Sequence, residues 1–125
     1  MSLSRRFSAR VLAALDEGKM LRIRAGTDHR FIGIWVVVVS GRVFVRSWND
    51  KPGGWYRAFL EEPRGAIEIA GREIAVRARK TTRERWMAAV EVAYGEKYTT
   101  PASHKYVLGF KRPRRRMTTT ELVPR

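Results

Sequence analysis

The stretch IWVVVVSGRVFVRSWNDKPGGWYR, residues 34–57, decides how this chain folds. Its first six residues are a continuous apolar run dominated by β-branched valine, the composition of a buried strand. Ser40-Gly41 supplies a two-residue turn, and residues 42–47 return with Val43 and Val45 alternating against Arg42 and Phe44. The spacing predicts a tight hairpin. Beyond it Pro52-Gly53-Gly54 makes a loop, and residues 55–62 read as a short helix that Pro63 ends.

Working outward, the same device recurs at Ala70-Gly71, between residues 66–69 and 73–79, with Ile74, Val76 and Ala78 on one face. Upstream, Phe7, Val11, Leu12 and Leu15 stand at helical spacing over residues 4–15, with Ser2 or Ser4 as N-cap and Gly18 as the end. Residues 19–25 alternate Leu21, Ile23 and Ala25 against Arg22 and Arg24, a half-buried strand that leads into a polar loop at residues 26–30. Downstream, Thr81 and Glu84 have the spacing of a capping box ahead of Trp86, Met87, Val90, Ala93 and Tyr94, and Gly95 is the expected stop. Residues 97–115 read as irregular and basic, and residues 117–123 as a last strand. Six strands with helices at the start, middle and late positions give an α+β fold with a small antiparallel barrel. The 125 residues leave room for one domain, residues 1–125.

The formal net charge of +14 sets 26 Lys and Arg against 12 Asp and Glu, and 20 of the 26 are arginine. Such a balance calls for an anionic partner or a solvating role, and arginine favours bidentate contacts to phosphate or carboxylate. The absence of cysteine removes disulfides, thiolate metal sites and cysteine nucleophiles, which suits a cytoplasmic protein. Arg5, Arg6 and Arg10 interrupt any signal-peptide core, and no run of about eighteen apolar residues exists to span a membrane. With only His29 and His104, no metal is expected.

The chemistry gathers where the first hairpin ends. Arg46, Ser47, Trp48, Lys51, Gly53, Gly54, Trp55, Tyr56 and Arg57 combine cations, aromatics, glycines and a hydroxyl within twelve residues. This grouping suits an anionic planar ligand: cations pair with phosphate or carboxylate, glycines let backbone N–H groups approach, and aromatic faces stack on a ring. The alternative makes Trp48 and Trp55 core residues and leaves the cations in solvent, since aromatic residues usually pack. Ser47, His29 and Asp28 or Asp50 are the residue types of a hydrolytic triad, but no spacing orders them. Glu61 and Glu62 sit at a helix end facing solvent, not as an acid/base pair.

Residues 34–38, 43–47 and 55–57, with Ala93-Tyr94, Lys97-Tyr98 and the ending Thr118-Thr119-Thr120-Glu121-Leu122-Val123-Pro124-Arg125, resemble a bacterial family known as domain of unknown function 2255. More distantly, the order of strand, basic Trp-Tyr segment, Pro63, hairpin, late helix and terminal strand is similar to the deazaflavin-dependent nitroreductases of the flavin-binding split-barrel group. That resemblance implies a six-stranded split β-barrel with flanking helices and a bound FMN or deazaflavin coenzyme F-420. It assigns the cofactor to His29 and Arg30 in the first loop and to the residues after the third strand. Those reductases carry Gly-Arg-Lys-Ser-Gly in that loop, where this chain has Gly26-Thr27-Asp28-His29-Arg30, with less positive charge.

Three functions are therefore weighed. The first is a flavin- or deazaflavin-dependent reductase, in which Tyr56 or Tyr98 donates a proton near the ring. The second is a basic nucleic-acid-binding barrel, motivated by Lys111-Arg112-Pro113-Arg114-Arg115-Arg116 and by Arg22, Arg24, Arg77 and Arg79 on strand faces. The third is a cofactor-free split barrel that binds a ligand or partner. A homodimer is expected under the first and third.

Overall fold

The computed structural model describes residues 6–125. Both predicted hairpins form. Ser40 and Gly41 have φ of 51° and 76°, and Ala70 and Gly71 have 52° and 74°. Positive φ at both central residues is the type I′ turn, whose twist matches that of paired strands. The first turn joins β3 (Val37–Val39) to β4 (Arg42–Val45), and the second joins β5 (Arg64–Ile69) to β6 (Arg72–Lys80).

Four of the seven strands now have places: β1 (Met20–Ala25), β2 (Ile32–Trp35) and β7 (Thr120–Pro124) complete an antiparallel sheet of order β2-β1-β5-β6-β7-β4-β3. The two ends of that order, β2 and β3, are consecutive in the chain. The apolar run read as one strand is in fact bent at Val36, with its first half paired to β1 and its second to β4. The sheet thus curls into a barrel whose seam is one bent segment, and the count rises from six strands to seven. At the bend the Val36 N–H donates to the Tyr98 hydroxyl at 3.0 Å, and the Val36 carbonyl accepts from Lys97 Nζ at 2.8 Å. Side chains replace the ladder bonds that a corner must give up.

Helix α1 (Ala9–Glu17) starts at Ser8, whose hydroxyl accepts from the Val11 N–H at 3.2 Å, and ends at Gly18 as expected. Ser2 and Ser4 lie outside the described residues. Helix α2 (Trp55–Glu61) matches its prediction. Helix α3 (Glu84–Lys97) forms, but without the capping box: the Thr81 N–H donates to the Thr119 carbonyl, and the Glu84 carboxylate goes to Arg116. Gly95 does not stop it, because Lys97 and Tyr98 are anchored at the Val36 bend. The segment expected to be irregular holds a 3-10 turn (Pro101–Ser103) and two short helices, α4 (His104–Gly109) and α5 (Pro113–Arg116).

The barrel interior is filled by Leu21, Ile23, Val43, Val45, Ile67, Val76 and Leu122. Val11 and Leu15 of α1 join this core near the hairpin turns, while Trp55 and Phe59 of α2 join it where β5 begins. Gly65 makes room for that second plug: a Cβ there would meet the Phe59 ring at 2.8 Å. A second cluster, Val37, Phe44, Val90, Tyr94, Tyr98, Val107 and Phe110, lies where α3 and α4 cover the outside of β3 and β4. With both faces covered, Val43, Phe44 and Val45 are all fully buried despite their alternation.

Candidate functional site

The chain leaving β4 carries Arg46, Ser47 and Trp48 out of the sheet in succession, and the three meet different fates. Arg46 turns inward and is completely buried. Its Nε donates to Thr119 Oγ1 at 2.7 Å, Nη1 to the Phe110 carbonyl at 2.9 Å, and Nη2 to the Met87 carbonyl at 2.9 Å. The Glu91 carboxylate stands 3.4 Å away and is shared with Arg116, which also pairs with Glu84 at 2.7 Å. Burial lowers the Arg46 pKa, with Tyr94 and Glu91 opposing the shift. The sequence reading placed Arg46 among the ligand-binding cations. In the structure the guanidinium is engaged in tying β4 to α3, the end of α4 and the start of β7, and Arg46 also borders a groove beside Trp48.

Ser47 is buried too, its N–H donating to Thr118 Oγ1 at 2.8 Å and its hydroxyl to the Asn49 carbonyl at 3.0 Å. No triad forms from it. Trp48 is half-buried and held on several sides. The Arg115 guanidinium lies 3.6 Å over its ring and donates from Nε to the Trp48 carbonyl at 3.0 Å. Tyr106 and Phe110 meet the ring edge-on at 5.0 and 5.3 Å, and Gly109 lies so close that any Cβ there would collide with the indole.

Held this way, Trp48 is a wall with a different surface on each side. On one side a cleft of about 700 Å³ is lined by Ser47, Asn49, Asp50, Lys51, Thr118 and residues 112–115 of the α5 region. It contains Lys51, Arg112, Arg114 and Arg115, while its carboxylate, Asp50, is bound to Arg57 at 2.9 Å. On the other side a groove of about 250 Å³ is bounded by Met20, Gly33, Ile34, Trp35, Arg46, Tyr106 and Phe110. Trp35 is fixed by stacking on Tyr98 at 3.8 Å with the rings 4° from parallel.

Of the residues singled out in the sequence, Ser47, Trp48 and Lys51 come together in the cleft. Trp55 is a core residue, packed edge-on against Tyr56 and Phe59, and Trp48 packs in part against the second cluster while one side of it faces the cleft. Tyr56 is buried and its hydroxyl donates to the Met117 carbonyl at 3.4 Å. Arg57 is exposed and pairs with Asp50. Gly53, at φ 77°, and Gly54, the N-cap of α2, shape the turn into that helix. His29 and Arg30 are exposed in the loop after β1 and do not line the cleft. Tyr98 is spent on the Val36 bend, and burial pushes its pKa up to about 12.

What the sequence does not single out is the partner surface: Arg112, Arg114 and Arg115 read only as part of a basic run, Trp35 as part of an apolar strand, and Tyr106 and Phe110 lie in the segment read as irregular. The run itself was the available signal. On the strand faces Arg22 is met by Glu68 at 2.6 Å and Arg24 by Glu73 at 3.6 Å, while Arg77 and Arg79 are exposed and have no carboxylate partner among the described residues. Among the described residues no group of three or more His, Cys, Asp or Glu could hold a metal ion, and no helix is long and apolar enough to cross a membrane.

The chain belongs to the bacterial family described as "Uncharacterized protein conserved in bacteria (DUF2255)", which it matches over residues 11–122. No curated protein matches it. Several solved structures share its fold, and two illustrate the similarity. One is the conserved hypothetical protein Rv2991 from Mycobacterium tuberculosis, 13% identical, with a TM-score of 0.58 over 98% of this chain and 81% of that one. The other is a FAD-binding protein from Mesorhizobium loti, 12% identical, with a TM-score of 0.56 over 98% of this chain and 92% of that one.

Proposed function

We propose that this family member is a small cytoplasmic reductase that holds a flavin or deazaflavin cofactor across the Trp48 wall. The observation that carries the reading is the contrast between the two sides of that wall. A cofactor of this kind has an anionic tail and a flat apolar ring, and the cationic cleft and the aromatic groove offer one surface to each. Lys51, Arg112 and Arg114 make no ion pair with a carboxylate among the described residues and would hold the tail. Trp35, Trp48, Tyr106 and Phe110 would flank the ring. The FAD-binding protein that shares the fold supports the same class.

When bound, such a ring supplies hydride chemistry, so the protein needs to bind, orient and shield rather than to provide a nucleophile. The groove opens beside the exposed Met20, on the β1 and β2 side of the barrel. A second copy packed there would roof the groove, and the active form is proposed to be a homodimer. Light scattering after size exclusion tests this, and a monomer at every concentration would contradict it.

For the cofactor itself, purified protein is titrated with FMN, FAD and the deazaflavin coenzyme while ligand fluorescence is followed. Saturable quenching with at least one of them is expected. No binding of any at high micromolar concentration would overturn the reading.

A further inference from the structure

The cationic cleft does not end at Arg114. A second cleft of about 380 Å³ shares Asp50, Arg114 and Thr118 with it and extends toward Lys80 and Arg57 over Tyr56 and Leu60. Together the two are lined by six cations, Lys51, Arg57, Lys80, Arg112, Arg114 and Arg115, against two carboxylates, Asp50 and Glu61. Asp50 is already engaged by Arg57. Arg115 is engaged by the Trp48 ring and carbonyl. That leaves Lys51, Arg112, Arg114 and Lys80 exposed and without a carboxylate partner among the described residues, distributed from one cleft into the next.

A single phosphate offers three oxygens at one point and is satisfied by a few donors around it. Cations spread along two joined clefts would remain mutually repelling on either side of one such group. A row of anionic groups neutralises them in turn. We infer that the joined clefts form one track for an elongated tail that carries two or more anionic groups, either a dinucleotide diphosphate or a short oligocarboxylate. Arg114, at the junction, contacts both halves of the tail, and Lys80 holds the distal half. The inference builds on the proposed cofactor for the ring but not for the track itself.

The test is calorimetric titration of the whole chain with FMN, FAD and the deazaflavin coenzyme with its oligoglutamyl tail, and with orthophosphate and tripolyphosphate as probes that lack a ring. At least one long-tailed cofactor should bind about tenfold tighter than FMN, consistent with an added charge-assisted contact. FAD in that role identifies a diphosphate tail, and the deazaflavin coenzyme identifies a carboxylate one. Lys80→Gln, which keeps much of the stem and removes the charge, should erase the advantage and leave FMN affinity unchanged. Arg72→Gln removes the same charge beside the second hairpin turn and should change nothing.

Equal affinity for short and long tails, or an equal effect of Arg72→Gln and Lys80→Gln, overturns the track while leaving the cofactor reading intact. Should no flavin bind, tighter binding of tripolyphosphate than orthophosphate, abolished by Lys80→Gln, would keep the track and discard the cofactor. Failure of all five probes removes both.

Discussion

Arg46 and Arg114 stand at one corner of the barrel and have opposite surroundings. Arg46 is fully buried, with Thr119, Phe110, Met87 and Glu91 around its guanidinium. Arg114 is exposed in the cleft with no carboxylate partner among the described residues. The two differ in what sustains them: the first stays charged because the fold supplies acceptors, the second because water does. A net charge of +14 is therefore not one property. Part of it holds the fold together, and another part remains free to meet an anion.

The comparison breaks most visibly at Arg46. Arg46→Ala takes the guanidinium donor from the Met87 and Phe110 carbonyls and the Thr119 hydroxyl, while Glu91 keeps Arg116, and losing three buried hydrogen bonds from a charged group costs about 3–5 kcal/mol. Urea unfolding should show a loss of that order. Arg46→Lys should recover only part of it, because one ammonium group cannot reach acceptors spread around a planar fork. A loss under about 1 kcal/mol would mean that Arg46 is not the structural member of the contrast.

Next in size is the plug that separates the barrel core from the cleft. Gly65→Ala forces a methyl against the Arg24 backbone carbonyl of β1 as well as the Phe59 ring, and overpacking of this kind costs about 1–3 kcal/mol. The expected readout is a lower thermal midpoint. An unchanged midpoint would show that α2 is looser than its buried Trp55 and Phe59 imply.

Tyr98→Phe removes the hydroxyl that accepts from the Val36 N–H and donates to the Lys19 carbonyl, at about 1–2 kcal/mol. It also carries a pH signature. The folded pKa is raised, from about 10 to about 12, so the stabilising share is whole below pH 10 and is lost as pH rises through that window. Lys97, whose pKa burial lowers, contributes with the opposite sign to wild type and variant alike. The difference between their stability curves should therefore shrink from pH 10 to 12. A constant difference would contradict the assignment.

The sequence made the hairpins legible because Ser-Gly and Ala-Gly turns are local chemistry, and the first helix because its stripe is local too. The bend at Val36 was not, since the groups that satisfy it arrive 62 residues later from Tyr98. Arg46 escaped for a related reason. An arginine beside Ser47 and Trp48 reads the same whether it is buried beneath α3 and α4 or points into solvent, and only the distant Met87, Phe110 and Thr119 decide. Half of the cleft was legible as Ser47, Trp48 and Lys51. Its other wall looked like a solvated basic run because the Arg115 stack on Trp48 spans 67 residues of chain.

The smallest expected effect on stability sharpens the contrast most. Arg112→Gln and Arg114→Gln together should move the urea midpoint by no more than about 0.5 kcal/mol, as exposed, unpaired side chains. The decisive measurement is calorimetric titration of wild type and this double variant with FMN, FAD and the deazaflavin coenzyme at fixed salt, read on whichever binds the wild type most tightly. The account predicts saturable binding to the wild type and binding weaker by about tenfold or more in the variant, with the fold intact. Equal binding by the two proteins, or none by either, would contradict it.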